Sequence, residues 1–146
     1  MSATILVLNG PNLNRLGSRE PQIYGSETLD ELSARLATRA KALDIDIEFF
    51  QSNHEGDLID RLHAYGNARA AILNPGGLAH YSVSLRDAVA AIPIPVIEVH
   101  ISNIYAREPF RQHSVLSGAC RGIISGLGTH GYFLALEHLS VMLSGR

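Results

Sequence analysis

The sequence predicts an α/β fold in which helices cover a parallel β-sheet, and three observations support this prediction. Short apolar segments rich in β-branched residues recur at residues 4–8, 45–50, 70–73, 96–99 and 122–124. These segments are almost continuously apolar, which is typical of strands buried on both faces of a parallel sheet. Segments in which apolar residues follow the 3.6-residue period of a helix alternate with them.

The helices are predicted from this period and from their start signals. Residues 28–43 carry apolar side chains at helical spacing, and Thr28 with Glu31 matches a capping box at the start of this segment. Three further helices are predicted at residues 57–65, 82–91 and 132–143.

The size of the chain limits how these elements assemble. Its 146 residues are close to the length of one domain, and 46% hydrophobic residues supply a substantial core. We therefore expect a single domain over residues 1–146. Five strands in a chain of this size favour the flavodoxin-like doubly wound order, with helices on both faces of the sheet. Ligands of such folds bind beyond the carboxyl ends of the strands.

Composition disfavours several classes of function. A net charge of −2 argues against a surface for nucleic acid or an anionic membrane, because both need clustered basic residues. No apolar run approaches the length of a membrane span. The single cysteine, Cys120, cannot form an intrachain disulfide, which fits a protein of the reducing cytoplasm. The only lysine, Lys41, does not follow a glycine-rich loop, so Schiff-base chemistry and a Walker-type phosphate loop are both disfavoured.

The most informative segment is the polar loop after the first strand, LNGPNLNRLGSREPQIYG at residues 8–25. A loop of this length in a small domain is usually a binding loop or a lid. Arg15 and Arg19 lie within ten residues of Tyr24, and positive charge favours the ionised form of a phenol. Because an ionised phenol is a usable base, the loop predicts proton-transfer chemistry.

Polar residues also end the other predicted strands. They are Asn9 and Asn12 after the first strand, and then residues 52–54, 74–77 and 100–103. Most of these side chains are neutral or histidine, so they suit hydrogen bonding to a polar small molecule better than a carboxylate site for a metal. The seven histidines are scattered and show no metal-ligand spacing.

Two pairs at these ends are candidate functional groups. Glu98 and His100 lie two residues apart on a predicted strand and therefore project to the same face. A buried glutamate that contacts an imidazole fixes its tautomer and favours its protonated form, as a general acid requires; a structural histidine explains the spacing equally well. Asn74 begins an NPGG turn and His80 follows it, which suits either ligand binding or a plain tight turn.

Three other features have competing interpretations. Arg107 and Arg111 lie four residues apart and form either a surface ion-pair network or a clamp for a substrate oxygen or carboxylate. Residues 126–131 match GxGxxG, but the ribose-binding acid and second strand of a dinucleotide site are missing, so we expect no NAD site. Cys120 is expected to be a packed thiol rather than a nucleophile.

Taken together, four segments resemble those of the type II 3-dehydroquinate dehydratases, in the order in which that family has them. They are LNGPNLNRLGSREPQIYG, NPGGLAHYSVSLRDA, PVIEVHISNIYAREPFRQHS and GYFLAL, and they span nearly the whole chain. The family eliminates water from 3-dehydroquinate with anti stereochemistry to give 3-dehydroshikimate, without a cofactor or metal. The resemblance implies this reaction here, in the shikimate pathway or in quinate breakdown.

The resemblance also implies a role for each site residue. Tyr24 would be the base that removes the C2 proton, with Arg19 beside it on a mobile lid, and Asn12 would help to bind a water that stabilises the enolate. His100, oriented by Glu98, would be the general acid that protonates the departing C1 hydroxyl. The substrate's hydroxyls would be held by Asn74, His80 and Arg111, and its carboxylate by Ile101 and Ser102.

An assembly is implied as well. Asp87 resembles the residue that reaches the site of a neighbouring subunit, since the family forms a dodecamer built from trimers. The chain departs from residues common in the family at Gly77, Ala79, Tyr105 and Gly118, none of them a proposed catalytic group. Two alternatives from other classes are a flavodoxin-like module that binds FMN or another phosphate ligand, and a structural subunit without activity.

Overall fold

The computed structural model describes residues 2–145 and contains a sheet of five parallel strands. The strands are β1 (Ala3–Asn9), β2 (Ile45–Gln51), β3 (Ala68–Asn74), β4 (Val96–His100) and β5 (Gly122–Ser125). Their order across the sheet is β2-β1-β3-β4-β5, which confirms the predicted doubly wound, flavodoxin-like order. The direction of winding reverses between β1 and β3, and a crevice opens at the carboxyl ends of strands at such a point.

Helices cover both faces of this sheet. They are α1 (Pro21–Tyr24), α2 (Leu29–Ala42), α3 (Glu55–His63), α4 (Val83–Ala91) and α5 (His130–Leu143). The predicted capping box begins α2: the Thr28 hydroxyl accepts a hydrogen bond from the Glu31 N–H, and the Glu31 carboxylate accepts one from the Thr28 N–H. Of the helices in residues 2–145, none combines the length and apolarity needed to cross a bilayer.

The central strand β1 explains why the strand segments are apolar throughout. Ile5 and Val7 pack with α2 and α5 on one face, whereas Leu6 and Leu8 pack with α3 and α4 on the other. All four side chains are fully buried. Successive strand residues point to opposite faces, so a strand covered on both sides needs an apolar residue at every position.

The elements end differently from the predictions in ways that matter for the site. The strands run further at their carboxyl ends, so that Asn9, Asn74 and His100 are the last residues of β1, β3 and β4. Their backbone pairing places these polar side chains at one edge of the sheet; Asn9 is paired with Asn74 and His100 with Ser125. The pattern underestimated the strands because it counted only apolar residues.

Irregular structure fills the long connections. The predicted loop after β1 contains α1, which was not predicted; it begins with Pro21, a residue suited to the first turn because its missing N–H has no helical partner there. The segment that we call the β4–β5 connection, residues 101–121, contains three short 3₁₀ helices: Ile104–Ala106, Pro109–Arg111 and Ser117–Ala119.

Gly10 joins the loops after β1 and β3, and its replacement by alanine is expected to destabilise the fold. The Gly10 N–H donates to the Asn74 carbonyl at 2.8 Å, and an added Cβ would lie 2.5 Å from the Pro75 carbonyl oxygen. Overpacking of this kind costs about 1–3 kcal/mol, measurable as a lower free energy of unfolding in urea. The control is Gly56→Ala in α3, where a Cβ meets nothing within 4 Å. Equal stability of the two variants would contradict the close approach.

Candidate active site

A cleft lies at the carboxyl ends of β1, β3 and β4, where the winding of the sheet reverses. Its lining includes nine of the predicted site residues: Asn12, Arg19, Tyr24, Asn74, His80, His100, Ile101, Ser102 and Arg111. Glu98 is fully buried and contacts His100. Asp87 is exposed on α4 and is not part of this lining. The structure therefore brings most of the predicted site together around one concave surface.

Tyr24 is the last residue of α1 and is surrounded by positive charge. The Arg19 guanidinium lies 4.8 Å from the centre of its ring, and that of Arg107 lies 5.4 Å away. Arg107 Nη1 also donates a hydrogen bond to the Tyr24 hydroxyl oxygen at 2.7 Å. A hydrogen bond from a charged donor is shorter and stronger than one from a neutral donor, so Arg107 fixes the position of this oxygen.

Arg107 is the site residue that the sequence did not single out as a partner of the tyrosine. Loop position favoured Arg15 and Arg19, but Arg15 is exposed and Arg107 comes from the β4–β5 connection. Arg107 Nη1 also donates to the Ser102 hydroxyl at 3.2 Å, and Glu20 lies 3.9 Å from its guanidinium. The only signal in the sequence was its place shortly after the fourth strand, because a contact across 83 residues leaves no local pattern.

Glu98 and His100 form a buried pair at the end of β4. His100 Nε2 lies 2.5 Å from Glu98 Oε2. The hydroxyls of Ser114 and Ser117 donate to the two carboxylate oxygens at 2.7 and 2.8 Å. Burial by itself raises the pKa of Glu98, but the hydrogen bonds from His100, Ser114 and Ser117 and the charge of His100 outweigh it and lower the pKa.

This arrangement fixes the tautomer of His100. Because the Glu98 carboxylate is ionised and can only accept, Nε2 must donate to it, and Nδ1 is the nitrogen left for the cleft. The pair predicted from spacing is thus in contact, with the glutamate on the buried side and the imidazole on the cleft side.

His80 lies beside His100 in the cleft. The two rings stack with their centres 6.3 Å apart, and His80 Nδ1 lies 2.9 Å from the carbonyl oxygen of His113. A carbonyl only accepts, so Nδ1 carries the hydrogen. Burial lowers the pKa of His80, and the neighbouring His100 and Arg111 lower it further. The ring therefore favours the neutral form, in which Nε2 is an acceptor for a ligand hydroxyl.

The side-chain amide of Asn74 is held by the Tyr132 hydroxyl and by the Gly76 N–H. Its Nδ2 donates to the Tyr132 hydroxyl at 2.8 Å, and that hydroxyl donates to Asn9 Oδ1 at 2.6 Å. Its Oδ1 accepts from the Gly76 N–H at 3.1 Å. Tyr132 supports the site without lining the cleft. The sequence did not indicate this contact, because Tyr132 lies on α5, 58 residues from Asn74 along the chain.

The remaining predicted residues line the mouth of the cleft. Asn12 is exposed and has a left-handed backbone with φ of 72°. Its N–H donates to Asn53 Oδ1 at 2.9 Å, which fixes this turn. Arg111 Nε donates to both carboxylate oxygens of Glu108, at 3.1 and 3.2 Å. Asn12 and Arg111 thus add an amide and a guanidinium to the lining of the cleft.

The donors of the site suit hydrogen bonding and proton transfer. Across residues 2–145, no three side chains of His, Cys, Asp and Glu converge as metal ligands would. Glu98 is enclosed by His100 and two serines rather than directed into the cleft. The cleft therefore combines neutral acceptors with guanidinium donors, which is the chemistry needed to bind a hydroxylated carboxylic acid.

Cys120 lies behind this site and is expected to be unreactive in the folded protein. Burial, and after it the charge of Glu98, raises the pKa of the Cys120 thiol to about 12. At pH 8 the thiolate fraction is then roughly a thousandfold below that of an ordinary cysteine with a pKa of about 8.5. Alkylation by iodoacetamide should be slower by this factor in folded protein and normal after unfolding in guanidinium. Equal rates in the two states would contradict the placement of this thiol.

Comparisons with known proteins show the family to which the chain belongs. The family model described as "Dehydroquinase class II" matches residues 3–140. A 3-dehydroquinate dehydratase of Bacillus licheniformis is 58% identical over 92% of this chain and 93% of its own length. A catabolic 3-dehydroquinase of Emericella nidulans is 51% identical over 97% of this chain and 93% of its own length.

The fold gives the same result. The crystal structure of a type II dehydroquinase from Propionibacterium acnes superposes with a TM-score of 0.93 at 48% identity, covering 97% of this chain and 98% of that one. Sequence and structure therefore agree over almost the full length of the chain, which is a member of the class II dehydroquinase family.

Proposed function

We propose that this protein is a 3-dehydroquinate dehydratase that eliminates water from 3-dehydroquinate to give 3-dehydroshikimate, with Tyr24 as base and His100 as acid. The observation that carries the proposal is the pairing of two opposite environments in one cleft. The tyrosine oxygen accepts from a guanidinium, while the imidazole contacts a buried carboxylate. The first favours a group that takes a proton, and the second favours a group that gives one.

The base removes a proton from C2, next to the ketone. Tyr24 can do this as a phenolate, because Arg107 donates to its oxygen and Arg19 lies over its ring. A hydrogen bond from a charged donor is stronger than one from a neutral donor, so Arg107 holds this oxygen in place for the proton transfer. Lid closure over the cleft would exclude water and strengthen this attraction.

Removal of the proton leaves an enolate, whose oxygen needs hydrogen-bond donors. Asn12 is placed at the mouth of the cleft, and we propose that it holds a water against this oxygen. Preorganised donors of this kind stabilise developing charge without reorganisation during the reaction.

The acid completes the elimination. The electron pair of the enolate forms the new C1–C2 double bond as the C1–O bond breaks, and the departing hydroxyl takes a proton from His100 to leave as water. The Glu98 carboxylate accepts from Nε2, which leaves Nδ1 as the nitrogen that can serve the cleft. The two proton transfers therefore need neither a cofactor nor a change in the charge of Glu98.

Substrate binding uses the neutral and cationic groups of the cleft. We propose that Asn74, His80 and Arg111 hold the hydroxyls, and that Ile101 and Ser102 receive the carboxylate. Backbone N–H groups after a strand, together with a serine hydroxyl, form a suitable anion site. Arg107 lies against the Ser102 hydroxyl and adds positive charge there.

The test is the ultraviolet absorbance of purified protein mixed with 3-dehydroquinate, because the product is a conjugated enone and the substrate is not. We expect a rising signal that is insensitive to borohydride, since the only lysine, Lys41, is exposed on α2 and no Schiff base forms. A flat trace from folded protein would refute the proposal, and tight binding of FMN by that sample would favour a flavodoxin-like binding module instead.

Arg107 and Arg19 are expected to contribute unequally to this reaction. Arg107→Ala removes a charged donor from the Tyr24 oxygen and should lower kcat by about ten- to a hundredfold, the value of a charge-assisted hydrogen bond. Arg19→Ala should cost less, because its guanidinium faces the ring rather than the oxygen. Steady-state rates of the two variants measure the difference, and a larger loss in Arg19→Ala would reverse the assignment.

The proposed reaction is compatible with a biosynthetic role and with a catabolic role. Relatives of this chain include both a 3-dehydroquinate dehydratase and a catabolic 3-dehydroquinase. We propose a cytoplasmic enzyme of the shikimate pathway or of quinate breakdown. We propose further that it assembles as a dodecamer built from trimers, in which Asp87 reaches the active site of a neighbouring subunit. Light scattering at micromolar concentration tests the assembly, and a monomer that is fully active would contradict the role of Asp87.

A further inference from the structure

A buried hydrogen-bond chain connects α5 to the cleft. Tyr132 is fully buried, and Asn9 and Asn74 are 2% and 4% exposed. The chain runs from Asn74 Nδ2 to the Tyr132 oxygen and from the Tyr132 hydroxyl to Asn9 Oδ1. Of these three residues, only Asn74 lines the cleft.

We infer that Tyr132 is a positioning residue for the substrate, because its hydroxyl fixes the orientation of the Asn74 side-chain amide. This inference rests on the proposed function for the substrate and adds a role for a residue that does not itself touch the cleft.

The direction of each hydrogen bond in the chain is determined by chemistry. The hydroxyl has one hydrogen and donates it to Asn9 Oδ1, so towards Asn74 it can only accept. The group of Asn74 that faces it must therefore be the NH₂ group. Burial raises the pKa of Tyr132, so the hydroxyl keeps its hydrogen throughout the working range of the enzyme.

The other side of the amide is fixed as well. Asn74 Oδ1 accepts from the Gly76 N–H at 3.1 Å. Rotating the amide by 180° would set the NH₂ group against this N–H and the oxygen against the hydroxyl's lone pairs, which breaks both hydrogen bonds. One N–H of Asn74 and one lone pair of its oxygen are left, and these can bind a hydroxyl of the substrate as acceptor and donor.

Without the Tyr132 hydroxyl the amide loses this constraint. Tyr132→Phe keeps the buried ring and its packing but removes the acceptor, so that only the hydrogen bond from the Gly76 N–H still orients the amide. We expect a rise in KM of about tenfold, with a smaller change in kcat, because the proton-transfer groups Tyr24 and His100 are not touched. Asn9→Ala removes the acceptor on the far side of the hydroxyl and is expected to change KM in the same direction.

The experiment is a double-mutant cycle with Asn74→Ala. Kinetic constants and urea unfolding are measured for wild type, Tyr132→Phe, Asn74→Ala and the double variant. If Tyr132 acts through Asn74, Tyr132→Phe raises KM in the wild-type background and has no further effect on KM in the Asn74→Ala background. The matched control is Tyr65→Phe, which removes a hydroxyl at the opposite end of the sheet and should leave KM unchanged.

Two kinetic results would overturn the inference. One is a Tyr132→Phe variant that is less stable but has the KM of wild type, which is the signature of a purely structural hydroxyl. The other is a KM of the double variant that has risen by the product of the two single-variant factors. This result would show that Tyr132 and Asn74 act on KM independently.

A readout that does not need turnover separates this inference from the proposed function. In proton–nitrogen correlation spectra, the Asn74 side-chain amide is assigned by its loss in Asn74→Ala. We expect its two proton signals to be widely separated in wild type and to converge in Tyr132→Phe. Signals that are the same in Tyr132→Phe and in wild type would refute the positioning role. If the signals converge in Tyr132→Phe but the wild-type protein has no dehydratase activity, only the proposed reaction is refuted.

Discussion

Tyr24→Phe is expected to lower kcat by roughly 10²- to 10⁴-fold, the range for loss of a positioned general base. The variant loses the proton acceptor but keeps the ring over which the Arg19 guanidinium lies. Substrate affinity should therefore change little, and the loss should appear in kcat rather than in KM. Because turnover is so slow, the dissociation constant of 3-dehydroquinate can be measured directly by titration calorimetry on this variant.

The control for this experiment is Tyr65→Phe, which removes a phenol hydroxyl far from the cleft. Its kcat should equal that of wild type. A Tyr24→Phe variant that keeps more than about a tenth of wild-type turnover would eliminate the tyrosine as base, because the expected loss is at least about a hundredfold.

His100→Ala is the second large effect, and it has two components. Loss of the acid should lower kcat by roughly 10²- to 10⁴-fold. Stability should fall as well, because Glu98 is fully buried and loses the donor that lies 2.5 Å from its oxygen. Removing one partner of a buried pair costs about 3–5 kcal/mol, so turnover and urea unfolding must be measured together.

A second substitution separates the two components. Glu98→Gln in the His100→Ala background removes the uncompensated charge and should recover a large part of the lost stability. It should recover no activity, since the proton donor is still missing. If activity returned along with stability, the defect of His100→Ala would be one of folding, and the histidine would not be the acid.

The sequence predicted the sheet well because its strands are covered on both faces. Continuous apolar segments such as Leu6 to Leu8 arise from this coverage, and their number and the helices between them leave few possible topologies. The same argument failed at strand ends, where Asn9 and His100 still belong to the sheet although they are polar. The strand ends are also where the candidate site lies, so the boundary errors coincide with residues of that site.

The site was predictable where its residues are close along the chain. Glu98 and His100 share one strand, and Arg19 and Tyr24 share one loop, so spacing alone was informative. Arg107 and Tyr132 contact the site across 83 and 58 residues, and only the folded chain brings them there. Both act on a polar atom of another side chain, a relation that leaves no periodic signal in the sequence.

The β4–β5 connection has a consequence for the timing of catalysis. This one stretch of backbone supplies Arg107 to the proposed base, Tyr24, and both serines to the carboxylate behind the proposed acid, His100. A displacement of the connection therefore weakens both proton transfers at once. Under the proposed mechanism, the enzyme therefore has little opportunity to form an enolate while it lacks a donor for the leaving hydroxyl. The two proton transfers are coupled because one segment of the chain supports both. An insertion or deletion in the β4–β5 connection should therefore impair both the removal of the C2 proton and the loss of the C1 hydroxyl.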